Sequence, residues 1–275
     1  MKTNKKFKSY IIHGLLILGS LIMIGPFIWM LLTSFKTFTE ATHVPIIIFP
    51  KNWTFASYIK AWNLLPFAAF YKNTFLMMLF RVIFSVFTSA AAGYAFARIK
   101  FPGRNALFMI ILIQMMVPGQ IFIIPQFLLV QKLGLLNTVS ALVFPGIVSA
   151  FGTFLLRQFY MGIPVELEEA AILDGCNRGQ IFIKIMLPLT KSGMIALGIF
   201  TSLFAWKDLM WPLIVNMSLD KMPLASGLAS LQGQYITDFP QLMAGSVMAI
   251  WPMLLIFIIF QKQFIAGIAT SGSKT

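Results

Sequence analysis

Residues 167–189 read LEEAAILDGCNRGQIFIKIMLPL. Glu166, Glu168, Glu169 and Asp174 crowd into and just before this stretch, and only four other acids occur in the 275-residue chain. Long apolar runs flank it, which raises the question of what an acidic, turn-containing segment does between them. Carboxylates at Glu166, Glu168 and Glu169 offset the positive end of a helix macrodipole and so favour a helix start. Pro164 suits a first helical position, where its missing N–H costs nothing. Leu167, Ala170 and Ala171 share a face by i, i+3, i+4 spacing, and the alanines make that face flat and strongly helical. Asp174-Gly175 stops the helix, with Gly175 free to take positive φ. Asn177 and Gln180 form an Asn-x-x-Gln capping pattern for a second short helix, which runs to about Met186 and ends at Pro188. The segment of about 163–189 therefore predicts helix, glycine turn, helix.

Composition sets the class. The chain is 59% hydrophobic and 11% charged, with a mean hydropathy of +0.85, against roughly 25% charge in soluble domains. It is a membrane protein. Crossing a bilayer takes about 20 apolar residues, and six spans are predicted, at about 11–33, 73–97, 106–130, 134–156, 193–215 and 240–261. The fifth is long enough only if it continues through Lys207 and Asp208. Lys2, Lys5, Lys6 and Lys8 precede the first run, whose length and lack of a cleavage signal indicate an uncleaved span rather than a signal peptide. The whole chain, 1–275, reads as a single all-α transmembrane domain.

Basic residues set the orientation. With the N-terminus inside, thirteen Lys and Arg fall on the inner side and six on the outer side, and Arg81 and Lys207 lie within spans. Both termini and the 163–189 segment are thereby assigned to the cytoplasm. The net charge of +13 needs no nucleic acid to explain it. An acid-edged helix is poorly suited to lie on anionic headgroups and better suited to a groove on a cytoplasmic partner.

Other features leave two readings each. The outer loop from Lys36 to Lys72 carries Trp53, Phe55, Tyr58 and Trp62, as interfacial anchors or as a docking surface. Pro118-Gly119 and Trp251-Pro252 kink their helices, as ordinary membrane bends or as parts of a transport path. Ser85, Ser89, Gly93 and Ala97, each four apart, form a close-packing face. Arg81 lies about 12 Å inward from the outer start of its helix, and Asp208 sits at similar depth, which permits an ion pair. Snorkelling, or a local Lys207–Asp208 arrangement, are the alternatives. Arg81, Asp208, Trp206 and Trp211 are thus candidates either for a structural charge pair or for a solute path.

Enzymatic chemistry finds no support. His13 and His43 are far apart and on opposite sides of the membrane, and no H-E-x-x-H metal motif occurs. No G-x-x-x-x-G-K-[ST] phosphate loop exists, nor any Gly-Lys dipeptide, so ATP is not bound by that device. Cys176 is the single cysteine, which excludes an internal disulfide.

Glu169-Ala170-Ala171, Asp174-Gly175 and Ile185-x-Leu187-Pro188 together match the loop pattern of binding-protein-dependent ABC importer permeases, and the chain is similar to that family over most of its length. Residues 133–138 (LGLLNT), 154–159 (FLLRQF), 206–213 (W-x-D-x-x-W-P-L) and 243–246 (MAGS) resemble its sugar-importing branch, of the maltose, oligosaccharide or glycerol-phosphate type, in the second permease subunit. Two positions depart from the pattern: Cys176 stands where the family has Ala, and Lys207 where similar chains have Asn. The resemblance implies six spans in a bacterial-type cell membrane and a cytoplasmic coupling helix contacting an ATPase through Glu169, Ala170, Ala171 and Gly175, to which Glu168 is added as a neighbour. It also implies a second permease subunit, two ATPase subunits that carry ATP and magnesium, and an extracytoplasmic solute-binding protein, with lipid around the spans and no cofactor on this chain. A self-contained channel or secondary transporter is the alternative class.

Overall fold

The computed structural model describes residues 2–232 and 237–272. The chain is helical throughout, with no strand among the described residues. Its helices are α1 (Lys2–Ser34), α2 (Phe38–Ala41), α3 (Ala56–Leu64), α4 (Phe67–Arg98), α5 (Arg104–Met116), α6 (Ile123–Lys132), α7 (Val139–Val143), α8 (Ala150–Met161), α9 (Glu166–Leu173), α10 (Arg178–Ile181), α11 (Leu187–Leu189), α12 (Lys191–Trp206), α13 (Met210–Val215), α14 (Leu224–Ala229) and α15 (Phe239–Gly272). Three uninterrupted segments are long and apolar enough to cross a membrane: Lys8–Ser34, Phe67–Arg98 and Phe239–Gln261. Three bent pairs qualify when each is taken together: Arg104–Met116 with Gly119–Lys132 at 103°, Val139–Gly146 with Ala150–Met161 at 46°, and Arg178–Leu189 with Lys191–Trp206 at 73°.

The bends have local causes, and they redraw the straight helices expected at 106–130, 134–156 and 193–215. Val117 precedes Pro118 and is held extended, with ψ 128°, because the proline ring crowds the helical conformation of its predecessor. The helix therefore stops at Met116. Gly134 and Asn137 both have positive φ, 68° and 61°, so residues 133–138 form a turn instead of starting a span. The Thr138 hydroxyl then caps α7 by accepting from the Ala141 amide at 3.2 Å. Lys207–Leu209 interrupt the fifth segment between α12 and α13.

Two compact units make up the chain. In the larger one, Phe67–Gly227 with Met253–Thr275, α4 is the central post. Ser85, Ser89 and Gly93 are buried along it, and they face α8. A Cβ added at Gly93 would lie 2.9 Å from the backbone nitrogen of Arg157, and one at Gly152 would lie 2.3 Å from the Ser89 hydroxyl. The four-residue ladder is therefore a helix-packing face, as expected in membranes, where close backbone approach replaces a hydrophobic driving force. Two apolar clusters flank the post. One joins Ala90, Tyr94, Leu156, Tyr160, Ala171, Ile181, Met186 and Leu197. The other joins Met77, Val130, Ala141, Leu142, Ala205, Trp211 and Val215. Polar side chains tie the 216–224 loop to the same post. The Asn73 amide donates to the carbonyls of Asp220 and Met222, and the Leu224 amide donates to the Thr74 hydroxyl at 2.8 Å.

The smaller unit comprises Met1–Pro66 with Leu228–Pro252. Residues 8–29 of α1 are exposed almost all round, as a helix meant to face lipid would be. The outer-loop aromatics are packed rather than splayed. Phe35 contacts Trp53, Phe55 and Tyr58 with ring centroids 5.2–5.5 Å apart, and the Ser34 and Tyr58 hydroxyls lie 2.7 Å apart. Lys36 is buried, with Nζ 4.0 Å from the Trp29 ring. Burial pushes its pKa down, and Glu40 opposes the shift. Glu40 closes a capping box with Thr37 and accepts from the Asn52 amide at 3.1 Å. These backbone donors, Thr37 first, hold its pKa below the usual carboxylate range.

Substituting Gly152 by Val will force α8 away from Ser89 and Leu197, at a cost of about 1–3 kcal/mol. Gly14→Val is the control, since nothing lies within 4 Å of its added Cβ. Thermal unfolding in detergent should show a lowered midpoint for the first variant and an unchanged one for the second.

Candidate functional site

The 163–189 segment folds as helix, turn, helix. The first helical bonds of α9 run from the Glu168 and Glu169 amides to the Val165 carbonyl. Val165 is thus the cap, and Pro164 lies one residue outside the helix instead of in its first turn. At the far end, the Gly175 amide donates to Ile172 O at 3.0 Å and the Cys176 amide to Ala171 O at 2.9 Å. This is a Schellman closure, which demands a left-handed residue. Gly175 supplies it at φ 83°. A reciprocal capping box follows at once: Gln180 N–H to Asn177 Oδ1 at 2.9 Å, and Asn177 N–H to Gln180 Oε1 at 2.8 Å. The two caps meet back to back, so the reversal is fixed from both sides. Pro188 does not end the second helix as expected. A π turn at Phe182–Met186 precedes it, the helix continues to Leu189, and the bend falls at Thr190, whose hydroxyl donates to Met186 O at 2.9 Å.

The segment has two faces. Glu169, Ala170 and Gly175 are exposed, as are Leu167 and Ile172, and Leu173 protrudes at 88% exposure. Two residues expected on this outward face are turned inward. Ala171 is buried in the cluster with Leu156 and Tyr160. Glu168 is 4% exposed and lies between Arg98 and Arg178, at 3.1 and 3.3 Å. The reason is helical spacing: positions 168 and 171 are i, i+3 neighbours on one stripe, and that stripe is the packed one. The outward surface of the segment is therefore 167, 169–170 and 172–175, with Leu173 as its apolar tip. The sequence reading omitted Leu173 because a lone leucine carries no pattern.

In the membrane region Arg81 and Asp208 do meet, with Nη1 2.8 Å from Oδ2. The other guanidinium nitrogens, Nε and Nη2, both donate to the Leu142 carbonyl, at 2.8 and 2.5 Å. A Cβ at Gly146 would strike the Arg81 methylenes at 2.5–2.9 Å, so glycine there makes room for the arginine. Trp211 is 5% exposed and donates its indole N–H to Ala141 O at 2.9 Å. Trp206 packs edge-on to Phe75 at 5.7 Å. Lys207 is exposed, its Nζ 4.8 Å from the Phe204 ring, and it takes no part in the Arg81–Asp208 pair.

Beside this pair lies an open cleft of about 1050 Å³. Val117 and Gly119, at the sharp bend, line it together with Gln114, Gln120 and Gln126, and Phe151, Phe200, Asp208 and Trp211 form the facing wall. The three glutamines, each six residues apart, were the available sequence signal. They converge only because the segment folds back by 103°.

Asp208→Asn leaves a buried guanidinium without its counter-charge and should lower stability by about 1–3 kcal/mol. Adding Arg81→Gln should recover part of that loss. Detergent melts of both single variants and the double variant measure the coupling, and strict additivity would show that the two side chains do not interact.

The family described as binding-protein-dependent transport system inner membrane component matches residues 86–269. The arabinooligosaccharides transport system permease protein AraQ of Halalkalibacterium halodurans is 36% identical, over 98% of this chain and 99% of that protein. The diacetylchitobiose uptake system permease protein NgcG of Streptomyces coelicolor is 33% identical, over 98% and 90%. A crystal structure of a bacterial ABC transporter involved in the import of the acidic polysaccharide alginate includes a chain of the same fold, with a TM-score of 0.81 at 24% identity, covering 95% of this chain and 98% of that one. The chain belongs to the inner-membrane permeases of binding-protein-dependent ABC importers.

Proposed function

We propose that this permease carries an oligosaccharide or similar sugar, paired with a second permease subunit, and takes its energy from two separate ATPases that grip the 163–189 segment from the cytoplasm. The observation that carries the energy-coupling part is the outward face of that segment. A rigid double-capped turn presents Leu173, Ala170 and Glu169 to the outside, apolar at the tip and acidic at its edge. Such a knob fits a groove with an apolar floor and a basic rim. No phosphate-binding loop occurs in this chain, so ATP and its magnesium belong on those partners, and an extracytoplasmic binding protein delivers the solute. Both termini face the cytoplasm on this reading, following the excess of basic residues on that side.

The solute assignment rests on the names of the relatives and on the cleft. Three uncharged amides offer donors and acceptors to hydroxyl groups, and aromatic walls offer faces to the C–H surfaces of a sugar ring. Irregular backbone at membrane depth is tolerated where it lines a cavity, as Val117 and Gly119 do. Asp208 reaches the same space, but its charge is engaged by Arg81, so the cleft favours neutral or weakly charged solutes. ATP-driven closure of the ATPases would pull on the segment and switch access to the cleft from one side of the membrane to the other.

Gly175→Val should leave membrane insertion intact and cut transport about tenfold or more, since a β-branched residue resists the left-handed turn. Uptake assays at matched expression would read this, and normal uptake would remove the segment as the coupler. Gln120→Leu should raise the KM for the sugar several-fold with little change in ATPase co-purification. A purified lone chain that moves solute without ATP would instead establish a channel or secondary transporter.

A further inference from the structure

Glu168 sits next to the docking surface but faces away from it. Its carboxylate is almost fully buried and is shared by two arginines from different elements. Arg98, the last residue of α4, places Nε 3.1 Å from Oε1. Arg178, the first residue of α10, places Nη1 3.3 Å from Oε2. Arg98 reaches further: its Nη2 donates to Tyr160 O at 2.6 Å and also to Ile163 O. Those carbonyls belong to the open C-terminal end of α8 and the residues just after it, where a cation is favoured by the helix macrodipole. One carboxylate thus ties together the end of α4, the end of α8, α9 and α10.

The remaining attachment of α9 is apolar. Ala171 rests on Leu156 and Tyr160, and the link from α8 is the four-residue stretch Gly162–Val165. Apolar contact of this kind is non-directional and lets a helix slide. The buried Glu168–Arg98 ion pair opposes that slide, because Arg98 is also tied to the Tyr160 and Ile163 carbonyls and pulling the pair apart leaves a charge unpaired away from water.

We propose that Glu168 is a positioning residue of the transport cycle. Held by Arg98 and Arg178, it locks the cytoplasmic helix-turn-helix to the ends of α4 and α8, so that displacement of the docking face moves those helices instead of being absorbed at the α8–α9 link. This rests on the docking role proposed above, yet it is separable from it, because Glu168 does not belong to the contact surface.

The test uses the whole importer, with its ATPase and binding protein, reconstituted in vesicles, and reads solute moved per ATP hydrolysed. Glu168→Gln preserves shape and should retain co-purified ATPase and ATP hydrolysis, while solute per ATP falls about tenfold. Arg98→Lys, which keeps the charge but cannot hold carboxylate and carbonyls at once, should show the same loss in milder form. It also carries the test if Glu168→Gln fails to accumulate. Arg178→Ala should change the ratio less than twofold, since Arg178 is largely exposed and Arg98 remains. An unchanged ratio in Glu168→Gln overturns the proposal. So does a loss that merely parallels loss of bound ATPase, which would make Glu168 an assembly residue. Absence of ATPase from the wild-type preparation overturns the docking reading first, and the linkage falls with it.

Discussion

In lipid, a backbone carbonyl or amide freed by a helix break has no water to turn to, and this structure is organised around where its breaks are filled. Asp208 lies in the gap between α12 and α13, and Arg81 comes from α4 to meet it. The same guanidinium covers the Leu142 carbonyl with two further donors, so one buried cation joins three helical segments. Gly146 is small because Arg81 passes over it. Trp211 answers the neighbouring Ala141 carbonyl. A charge at this depth costs about 2.5–3.5 kcal/mol on insertion scales, and here the cost is offset by using every face of the guanidinium for a contact that a plain helix would not need.

The same logic holds at the other bends by different means. Thr190 returns its hydroxyl to the Met186 carbonyl at the 73° bend. Asn137 sits in the left-handed region, takes the Met217 and Ser218 amides on its side-chain oxygen, and gives its own amide to Val215 O. At Val117–Gly119 the break is left open to a cleft. Packing between helices is then free to use the closest possible approach, through Gly93 and Gly152 on the α4–α8 contact and Gly193 beneath the Phe159 ring. Breaks filled by polar side chains and faces cleared by glycine are complementary: the first keeps a helix end from needing water, and the second lets its neighbour come near enough to help.

Much of this was written locally in the sequence. The Schellman turn at Gly175 and the Asn177–Gln180 box depend on residues within a few positions of one another. The Ser85–Ala97 ladder is a four-residue period on one helix. The Arg81–Asp208 pair was legible as a depth match between two spans. What was not legible depended on direction rather than spacing. Ala170 and Ala171 look equivalent in sequence, yet one faces out and the other lies in the cluster with Leu156, because the stripe through Glu168 and Ala171 is the packed one and its partners are distant in sequence, Arg98 lying 70 residues before Glu168. The straight spans expected at 106–130 and 193–215 passed a length test that is blind to a 103° fold-back or to a three-residue gap. Gln114, Gln120 and Gln126 meant nothing as a group until that fold-back brought them to one cleft.

The acidic segment at 166–174 therefore carries its charge in two settings. Its three glutamates share the first turn of one helix, where all of them favour the positive end of the macrodipole. Helical geometry then separates them by about 100° per residue, so Glu168 is carried inward while Glu169 stays outside. The inner carboxylate finds arginines from the chain itself, at the ends of α4 and at the start of α10. The outer one has no ion pair among the described residues and remains available at the edge of an apolar tip. A single helical turn thus faces both ways. It is fastened to the neighbouring helices by one acid and leaves the next exposed, with only one residue's rotation between being held and being free to hold something else.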